Sequence, residues 1–264
     1  MKIPKSHPRY ASLVRRERLV QGWRDGIVVP EGLIAHGRGE AFDYLLGEET
    51  PAPALVSEKT AAALLLTADH PVISVNGNVA ALAPKETVRL ARAVSARLEV
   101  NLFHRTEARV ARIAKALRAA GARDVLGPRP DARIPGLESK RALCHREGIY
   151  SADVVLVPLE DGDRTEALVR MGKRVISIDL NPLSRTSQRA SVPVVDELTR
   201  ALSNMVTFAK ELQHHPEEAR RIARAYDRAG NLRATLSFLA WRLRSLHGGR
   251  NRRRGSRRSD SAST

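Results

Sequence analysis

The sequence predicts an α/β protein whose parallel β-sheet is covered by helices on both faces. Short apolar runs rich in β-branched residues recur along the middle of the chain, at 71–75, 97–103, 124–126, 152–159 and 174–180. These runs are nearly continuous in apolar residues, as in strands that are buried on both faces. Segments with helical periodicity separate them, and this alternation is typical of a doubly wound, Rossmann-like sheet.

Helices account for the N-terminal section, residues 1–70. We predict one helix from Tyr10 to Gly22, one from Glu31 to Leu46, and an alanine-rich one from about Ala54 to Ala68. We expect this section to pack on the sheet as a helical layer.

Residues 71–214 form the predicted Rossmann-like catalytic core. The strand PVISV is followed by the turn Asn76-Gly77-Asn78 and by a helix that begins near Pro84, since proline suits a first helical turn. Thr106 caps the next helix, which ends at Gly121, a residue common after helix ends. The remaining helices of the core are predicted at 164–171 and 195–214.

Beyond the core, we predict C-terminal helices over 215–246 and a disordered, arginine-rich tail over 247–264. Eight arginines between Arg242 and Arg258 and a single acid, Asp260, give the segment from Trp241 onward a charge of +7. The whole chain carries +16, so the rest of it still carries +9, as suits a protein with anionic ligands. Aromatic residues that could stack on bases are scarce, so we expect a solvated tail, with an RNA-binding arm as the alternative.

The sequence lacks the features that define several classes of protein. The single cysteine, Cys144, excludes an intrachain disulfide and a cysteine-based zinc site, and favours a reducing, cytoplasmic location. No run approaches the roughly eighteen apolar residues of a membrane span, and MKIPKSHPRY lacks the apolar stretch of a secretory signal. Gly172-Lys173 is followed by Arg174 without the glycine that a P-loop requires. The spacings of metallohydrolases and serine hydrolases are also absent.

Polar residues follow the predicted strands at the edge where open parallel sheets bind ligands. They occupy 76–78, 104–106, 160–164 and 181–186. In the N-terminal section, Gly37 and Gly39 permit close approach of a ligand, and Arg38 between them offers a forked donor to phosphate. Phe42 stands where a dinucleotide fingerprint needs its third glycine, so that fingerprint is absent.

The residues alone leave several roles open. His36 and His104 suit either structural hydrogen bonds or ligand binding. Asp161 and Asp163 suit either capping of the next helix or a metal ion. Arg16 and Arg185 suit either phosphate contacts or solvated surface positions.

Seven motifs together resemble one family. They are IPKSHPRY (3–10), GLIAHGRGEAFDYLLGE (32–48), PVISVNGNVAAL (71–82), LEVNLFHRT (98–106), IPGLES (134–139), ADVVLVPLEDGDRTEAL (152–168) and SIDLNPLSRT (177–186). In order and spacing they are similar to archaeal-type 4-phosphopantoate–β-alanine ligase, also called phosphopantothenate synthetase. The resemblance implies a Rossmann-like homodimer that uses ATP to condense 4-phosphopantoate with β-alanine. The products would be 4′-phosphopantothenate, AMP and pyrophosphate, in coenzyme A synthesis.

The resemblance also implies nucleotide-binding residues. Arg16 and Arg38 match the family's ATP-contacting arginines. Asp179, Leu180 and Asn181 match its nucleotide-binding DLN motif, and Arg185 and Thr186 match its RT pair. A further nucleotide contact falls at Glu197 and Leu198, with glutamate where we expect the family pattern to have asparagine.

For the acid substrate and the transition state, we select Asn76, His104 and Arg105. His104 would accept the proton of the β-alanine ammonium, because imidazole titrates near neutral pH. Mg²⁺ is expected with ATP, bound chiefly through phosphates, with Glu160, Asp161 or Asp163 as protein ligands. The alternatives to a ligase are another Rossmann-like enzyme on a phosphorylated or nucleotide substrate, and a nucleic-acid-binding protein.

Overall fold

The computed structural model of the protein describes residues 3–159 and 161–255. The chain begins with three helices, α1 (Tyr10–Arg24), α2 (Pro30–Leu46) and α3 (Ala52–Leu66). Helix α2 begins at Pro30 and ends before Gly47, whose φ of 96° is one that glycine adopts without strain. These helices match the predicted ones to within two residues at each end.

Eight strands occur in the described residues: β1 (Pro71–Val75), β2 (Arg97–Val100), β3 (Val125–Leu126), β4 (Ala132–Arg133), β5 (Leu143–Cys144), β6 (Val154–Pro158), β7 (Arg174–Ile178) and β8 (Val192–Val194). Six of them form one parallel sheet in the order β3-β2-β1-β6-β7-β8, and β4 pairs with β5 in a separate antiparallel hairpin. The strand order reverses between β1 and β6. The predicted doubly wound α/β fold is therefore confirmed.

Helices connect and follow the strands: α4 (Gly77–Leu82), α5 (Pro84–Ala93), α6 (Glu107–Ala119), α7 (Gly162–Arg170), α8 (Arg185–Arg189), α9 (Leu198–Leu212), α10 (Pro216–Ala225) and α11 (Arg228–Gly255). A 3₁₀ turn (Lys140–Ala142) and a π-helical turn (Arg146–Tyr150) flank β5. Within residues 3–159 and 161–255, no helix combines the length and the apolar composition that crossing a membrane requires.

The sheet separates two apolar cores. Because side chains alternate across a strand, Ile73 and Val75 of β1 face one core and Val72 faces the other. The larger core lies between the sheet and α3, α5, α6 and α9. The smaller core lies against α7, the β4–β5 hairpin and the π-helical turn. Burial on both faces explains why the central strands are apolar at almost every position.

Two predictions at strand ends need correction. Strand β2 ends at Val100, three residues before the predicted end at Phe103, and the Asn101 side-chain amide donates to the carbonyls of Arg141 and Leu143, each at 3.0 Å. The predicted turn at 76–78 is instead the start of α4, with the Asn76 side chain accepting a hydrogen bond from the Val79 amide at 3.0 Å.

The C-terminal part also differs from the prediction. Strand β8 was not predicted, since it is only three residues long and contains Pro193. Helix α11 continues to Gly255, past residue 246 where the predicted last helix ends, in a segment that contains no proline. Residues 256–264 of the predicted tail lie outside the described residues.

Candidate active site

A cavity of about 430 Å³ opens at the carboxyl edge of the sheet. It is lined by Val29, Glu31, Gly32, Ala35, His36, Arg38, Gly39, Phe42, Asn76, Gly77, Asn78, Leu102, Phe103, His104, Arg109, Arg141, Leu159, Asp179, Leu180 and Asn181. These residues come from α2, from the segments after β1, β2, β6 and β7, from the first turn of α6 and from the 3₁₀ turn. The cavity thus lies where the strand order reverses, which is the place where sheets of this type bind ligands.

Asn76 joins the two central strands at this reversal. Its side-chain oxygen caps α4, and its amide nitrogen donates to the Pro158 carbonyl at the end of β6, at 3.1 Å. The next residue must be glycine, because a Cβ at Gly77 would collide with the Ile27 carbonyl oxygen and lie 2.6 Å from Nη2 of Arg109. Both ends of the Asn76 amide are engaged, so this part of the cavity is fixed before a ligand binds.

Helix α2 presents small residues to the cavity. Gly32, Ala35 and Gly39 lie on its cavity side, and a Cβ at Gly39 would lie 3.8 Å from the Leu180 side chain. His36 shares this side of the helix, and among the described residues its buried Nε2 has no hydrogen-bond partner. Burial lowers the pKa of His36, so its imidazole is neutral at physiological pH.

The segment after β7 forms a rigid loop. The Asp179 carboxylate accepts hydrogen bonds from the Asn181 amide, at 3.0 Å, and from the Ser184 hydroxyl. The Asn181 side-chain oxygen accepts a bond from the Leu183 amide at 2.9 Å. Leu180 packs against a small apolar cluster that includes Leu46. The loop therefore offers a carboxylate, an amide and an apolar side chain in fixed positions.

The segment after β2 forms another wall. The Arg141 guanidinium lies over the Phe103 ring at 5.0 Å, and that ring meets the His104 imidazole edge-on at 4.9 Å. His104 is at the rim, with 46% of its side chain exposed and Nε2 3.9 Å from a carboxylate oxygen of Glu31. Arg109 donates to the His104 carbonyl at 2.9 Å. This wall therefore combines one phenyl ring with two guanidinium groups and an imidazole.

Asp161 lies beside the cavity and does not line it. Its buried carboxylate pairs with Arg141 and, at 2.6 Å, with Arg164, while its amide donates to the Thr186 hydroxyl at 2.8 Å. Asp163 is exposed and pairs with Arg185. Of the predicted metal ligands, Asp161 is thus occupied by two arginines, and Glu160 lies outside the described residues. Across the part of the chain that the structure describes, no group of three or more histidine, cysteine, aspartate or glutamate side chains is arranged to hold a metal ion.

Comparison with known proteins identifies the family. The sequence profile described as "Phosphopantothenate/pantothenate synthetase" matches residues 53–242. The chain belongs to this family. A protein of Methanospirillum hungatei JF-1 is 57% identical over 241 residues, which cover 91% of this chain and 98% of that protein. A protein of Thermococcus kodakarensis is 54% identical over 246 residues, 92% of this chain and 94% of that protein.

A third relative, from Methanosarcina mazei, is 54% identical over 245 residues, 92% of this chain and 96% of that protein. All three relatives are named 4-phosphopantoate–β-alanine ligase. The resemblance to this ligase that the motifs indicate is thereby confirmed.

In this synthetase-family chain, half of the predicted site residues line the cavity. They are Asn76, His104, Arg38, Asp179, Leu180 and Asn181. They come from α2 and from the ends of β1, β2 and β7, as expected for polar residues at the carboxyl edge of the sheet.

Three predicted residues lie near α1 and α9 and do not line the cavity. Arg16 donates to both carboxylate oxygens of Glu40, with Nη2 at 2.6 Å from the nearer one. Glu197 caps α9 by accepting a bond from the Thr199 amide at 2.9 Å, and it pairs with Arg15 at 3.0 Å. Leu198 is buried in the larger core. Each of these side chains has a structural partner that accounts for its position.

The other predicted residues outside the cavity are Arg105, Arg185 and Thr186. Arg105 is buried, and it donates to the Gly127 carbonyl at 2.5 Å. Arg185 is exposed and pairs with Asp163. Thr186 is buried, and its hydroxyl accepts a bond from the Asp161 amide, so it links α8 to the start of α7.

Sequence reasoning missed Glu31, Phe103, Arg109 and Arg141 in the cavity lining. The position of Arg109, three residues after the helix cap Thr106 at a strand end, was a usable signal. Arg141 had none, because its 3₁₀ turn lies far along the chain from the segments it joins and shows no periodicity.

Proposed function

We propose that this protein is an ATP-dependent ligase that joins 4-phosphopantoate to β-alanine and releases 4′-phosphopantothenate, AMP and pyrophosphate, in coenzyme A biosynthesis. The observation that carries the proposal is 54–57% identity, over 91–93% of this chain, to relatives named 4-phosphopantoate–β-alanine ligase. The cavity at the carboxyl edge of the sheet supports it, because the lining supplies donors for anionic groups on several sides.

The reaction needs a leaving group on the acyl carbon, since oxide cannot leave. A carboxylate oxygen of 4-phosphopantoate attacks the α-phosphorus of ATP, and the bond to pyrophosphate breaks, which gives an acyl-adenylate. The neutral amine nitrogen of β-alanine then attacks the acyl carbon, and AMP leaves with the carboxylate oxygen. The nitrogen loses two protons in total, one before attack to a base and one as the amide forms.

For the nucleotide, the proposal uses the loop after β7 and α2. The Asp179 carboxylate suits ribose hydroxyls, and Leu180 suits the face of adenine. Arg38 suits a phosphate, because a guanidinium can donate two parallel hydrogen bonds to it. For the acid and the amine, the proposal uses Asn76 and His104. The exposed imidazole of His104 is the proposed base, since it can exchange its proton with solvent after each turnover.

ATP and Mg²⁺ belong to the proposal. A nucleotide-bound Mg²⁺ takes most of its ligands from phosphate oxygens and water, so it does not require a protein cage of carboxylates. The donor set of the cavity, with arginines and few carboxylates, fits a nucleotide that arrives with its own cation. Mg²⁺ would supply charge neutralisation of the phosphates.

We also propose a homodimer in a reducing, cytoplasmic location. Large apolar side chains are exposed on α11 and at the end of α2. The two helices are in contact there, since Arg242 donates a hydrogen bond to the Leu45 carbonyl at 3.0 Å. The apolar residues are Tyr44, Leu45, Leu236, Trp241 and Leu243. A Trp241→Arg variant should shift the mass measured by light scattering from dimer to monomer if this surface is the interface.

The proposed activity is tested by analysing products formed from ATP, Mg²⁺, 4-phosphopantoate and β-alanine. We expect AMP, pyrophosphate and 4′-phosphopantothenate in equal amounts, and little AMP when either the acid or the amine is omitted. Release of ADP and phosphate would instead indicate an acyl phosphate. Absence of turnover would refute the ligase proposal.

A further inference from the structure

The cavity contains an arginine that forms no ion pair with a carboxylate among the described residues. Arg109 lies in the first turn of α6 and lines the cavity. Its guanidinium donates hydrogen bonds to two backbone carbonyls, those of Ile27 at 2.8 Å and His104 at 2.9 Å. Among the described residues, no carboxylate forms an ion pair with it. Arg141 differs, since its guanidinium pairs with the buried carboxylate of Asp161.

Such an arginine is energetically unusual. A guanidinium stays charged at any physiological pH, and a charge withdrawn from water is normally paired. Burial lowers the pKa of Arg109, and Glu31 offsets this only in part. The cation is thus held partly out of water beside a cavity, which is the arrangement that a bound anion would complete.

The orientation of the guanidinium is also fixed. The two carbonyl bonds use Nε and Nη1, and Nη2 lies against Gly77, where a Cβ would approach it to 2.6 Å. Arg109 is therefore positioned before a ligand arrives, and little side-chain entropy is lost when the ligand binds.

We propose that Arg109 binds the phosphate group of the acid substrate. This inference rests on the proposed function, in which the acid carries a phosphate at one end and the reacting carboxylate at the other. His104 and Arg109 lie beyond β2, whereas Asp179 lies beyond β7, three strand positions away. At ~4.8 Å per strand this separation is about 14 Å, which leaves room for the acid between the two groups.

The test compares variants of Arg109 with a matched control. Arg109→Ala should weaken 4-phosphopantoate binding by about 100-fold in calorimetry and raise the KM for that acid, with the KM for ATP unchanged. Arg109→Lys should weaken 4-phosphopantoate binding by a smaller factor, since lysine keeps the positive charge but lacks the forked donor geometry of the guanidinium. Arg112→Ala, an exposed arginine one turn later on α6, should behave as the unchanged protein.

A second acid separates recognition from structural support, because Arg109 also holds the carbonyls of Ile27 and His104. Pantoate, which lacks the phosphate, should inhibit the Arg109→Ala variant and the unchanged protein with similar constants. Equal weakening of both acids would mean a structural role, and a raised KM for ATP alone would mean a nucleotide contact; either result overturns the inference.

The two proposals can fail separately. Turnover by the unchanged protein with undiminished 4-phosphopantoate binding by Arg109→Ala would overturn the phosphate site and leave the ligase standing. Binding of 4-phosphopantoate that depends on Arg109, without turnover, would overturn the ligase and support the site. Failure of the unchanged protein to bind 4-phosphopantoate would overturn the phosphate site.

Discussion

Replacing Glu58 with glutamine tests whether a buried carboxyl group remains protonated in the folded protein. Glu58 lies on α3 with no exposed surface, and its Oε2 accepts a hydrogen bond from the Asn204 amide at 2.9 Å. Burial, together with the nearby carboxylate of Asp196, raises the pKa of Glu58 to about 9. In the folded protein at pH 7 the side chain is therefore a neutral acid, whereas in the unfolded chain at the same pH it is ionised.

The sign of the effect on stability follows from this shift. The folded protein keeps a proton that the unfolded chain releases above its ordinary pKa of 4.5, so the free energy of unfolding falls as pH rises from 4.5 to about 9. The slope is at most ~1.4 kcal/mol per pH unit, which makes about 2.7 kcal/mol between pH 6 and pH 8. Glutamine has a similar shape and does not titrate, so Glu58→Gln should remove this dependence.

The assay is urea unfolding of both proteins at several pH values between 6 and 8. The stability of Glu58→Gln relative to the unchanged protein should increase with pH, by up to about 2.7 kcal/mol over this range. Glu17→Gln, at an exposed position on α1, serves as the control and should show a constant difference. Parallel pH dependence of Glu58→Gln and the unchanged protein would mean that Glu58 is ionised in the fold and would refute the reasoning.

Three further predictions concern the site and its supports. His104→Asn should lower kcat by about 100-fold or more if His104 is the base, with His214→Asn as control; steady-state kinetics with unchanged kcat would reject that role. Asp161→Asn should lower the free energy of unfolding, measured by thermal unfolding, by about 3–5 kcal/mol, because it leaves Arg164 buried without its carboxylate partner; a decrease below about 1 kcal/mol would contradict this. Gly77→Ala should also lower the melting temperature, since the new Cβ would collide with the Ile27 carbonyl oxygen. A melting temperature equal to that of the unchanged protein would show that the backbone at Ile27 moves aside without loss of stability.

The sheet could be predicted because its strands are buried on both faces. Val155 and Leu156 face opposite cores, so the apolar run of β6 is continuous and easily recognised. The same signal failed at β8, where Pro193 interrupts three residues, and beyond Val100, where apolar residues continue after the strand has ended. Directly after Val100, the Asn101 side chain donates to carbonyls of a segment some forty residues later, and a local pattern does not contain such contacts.

The site could be predicted only in part, for a related reason. Asn76, His104 and Asp179 follow strands directly, so the topology brings them to one edge. Arg16 matches a family arginine and Glu197 falls at a family contact position with a different residue, and both form ion pairs, with Glu40 and Arg15, outside the cavity lining. Arg109 could have been predicted from its place in the first turn after the cap Thr106, whereas Arg141 reaches the cavity through contacts between distant segments, which residue spacing does not reveal.

The most direct test of the central claim follows oxygen from the acid. When 4-phosphopantoate labelled with ¹⁸O in its carboxylate reacts with ATP, Mg²⁺ and β-alanine, an acyl-adenylate requires one labelled oxygen to leave with AMP. We predict AMP that carries one ¹⁸O atom and pyrophosphate that carries none, measured by mass spectrometry. Labelled inorganic phosphate formed together with ADP, or AMP without label, would contradict the proposed route.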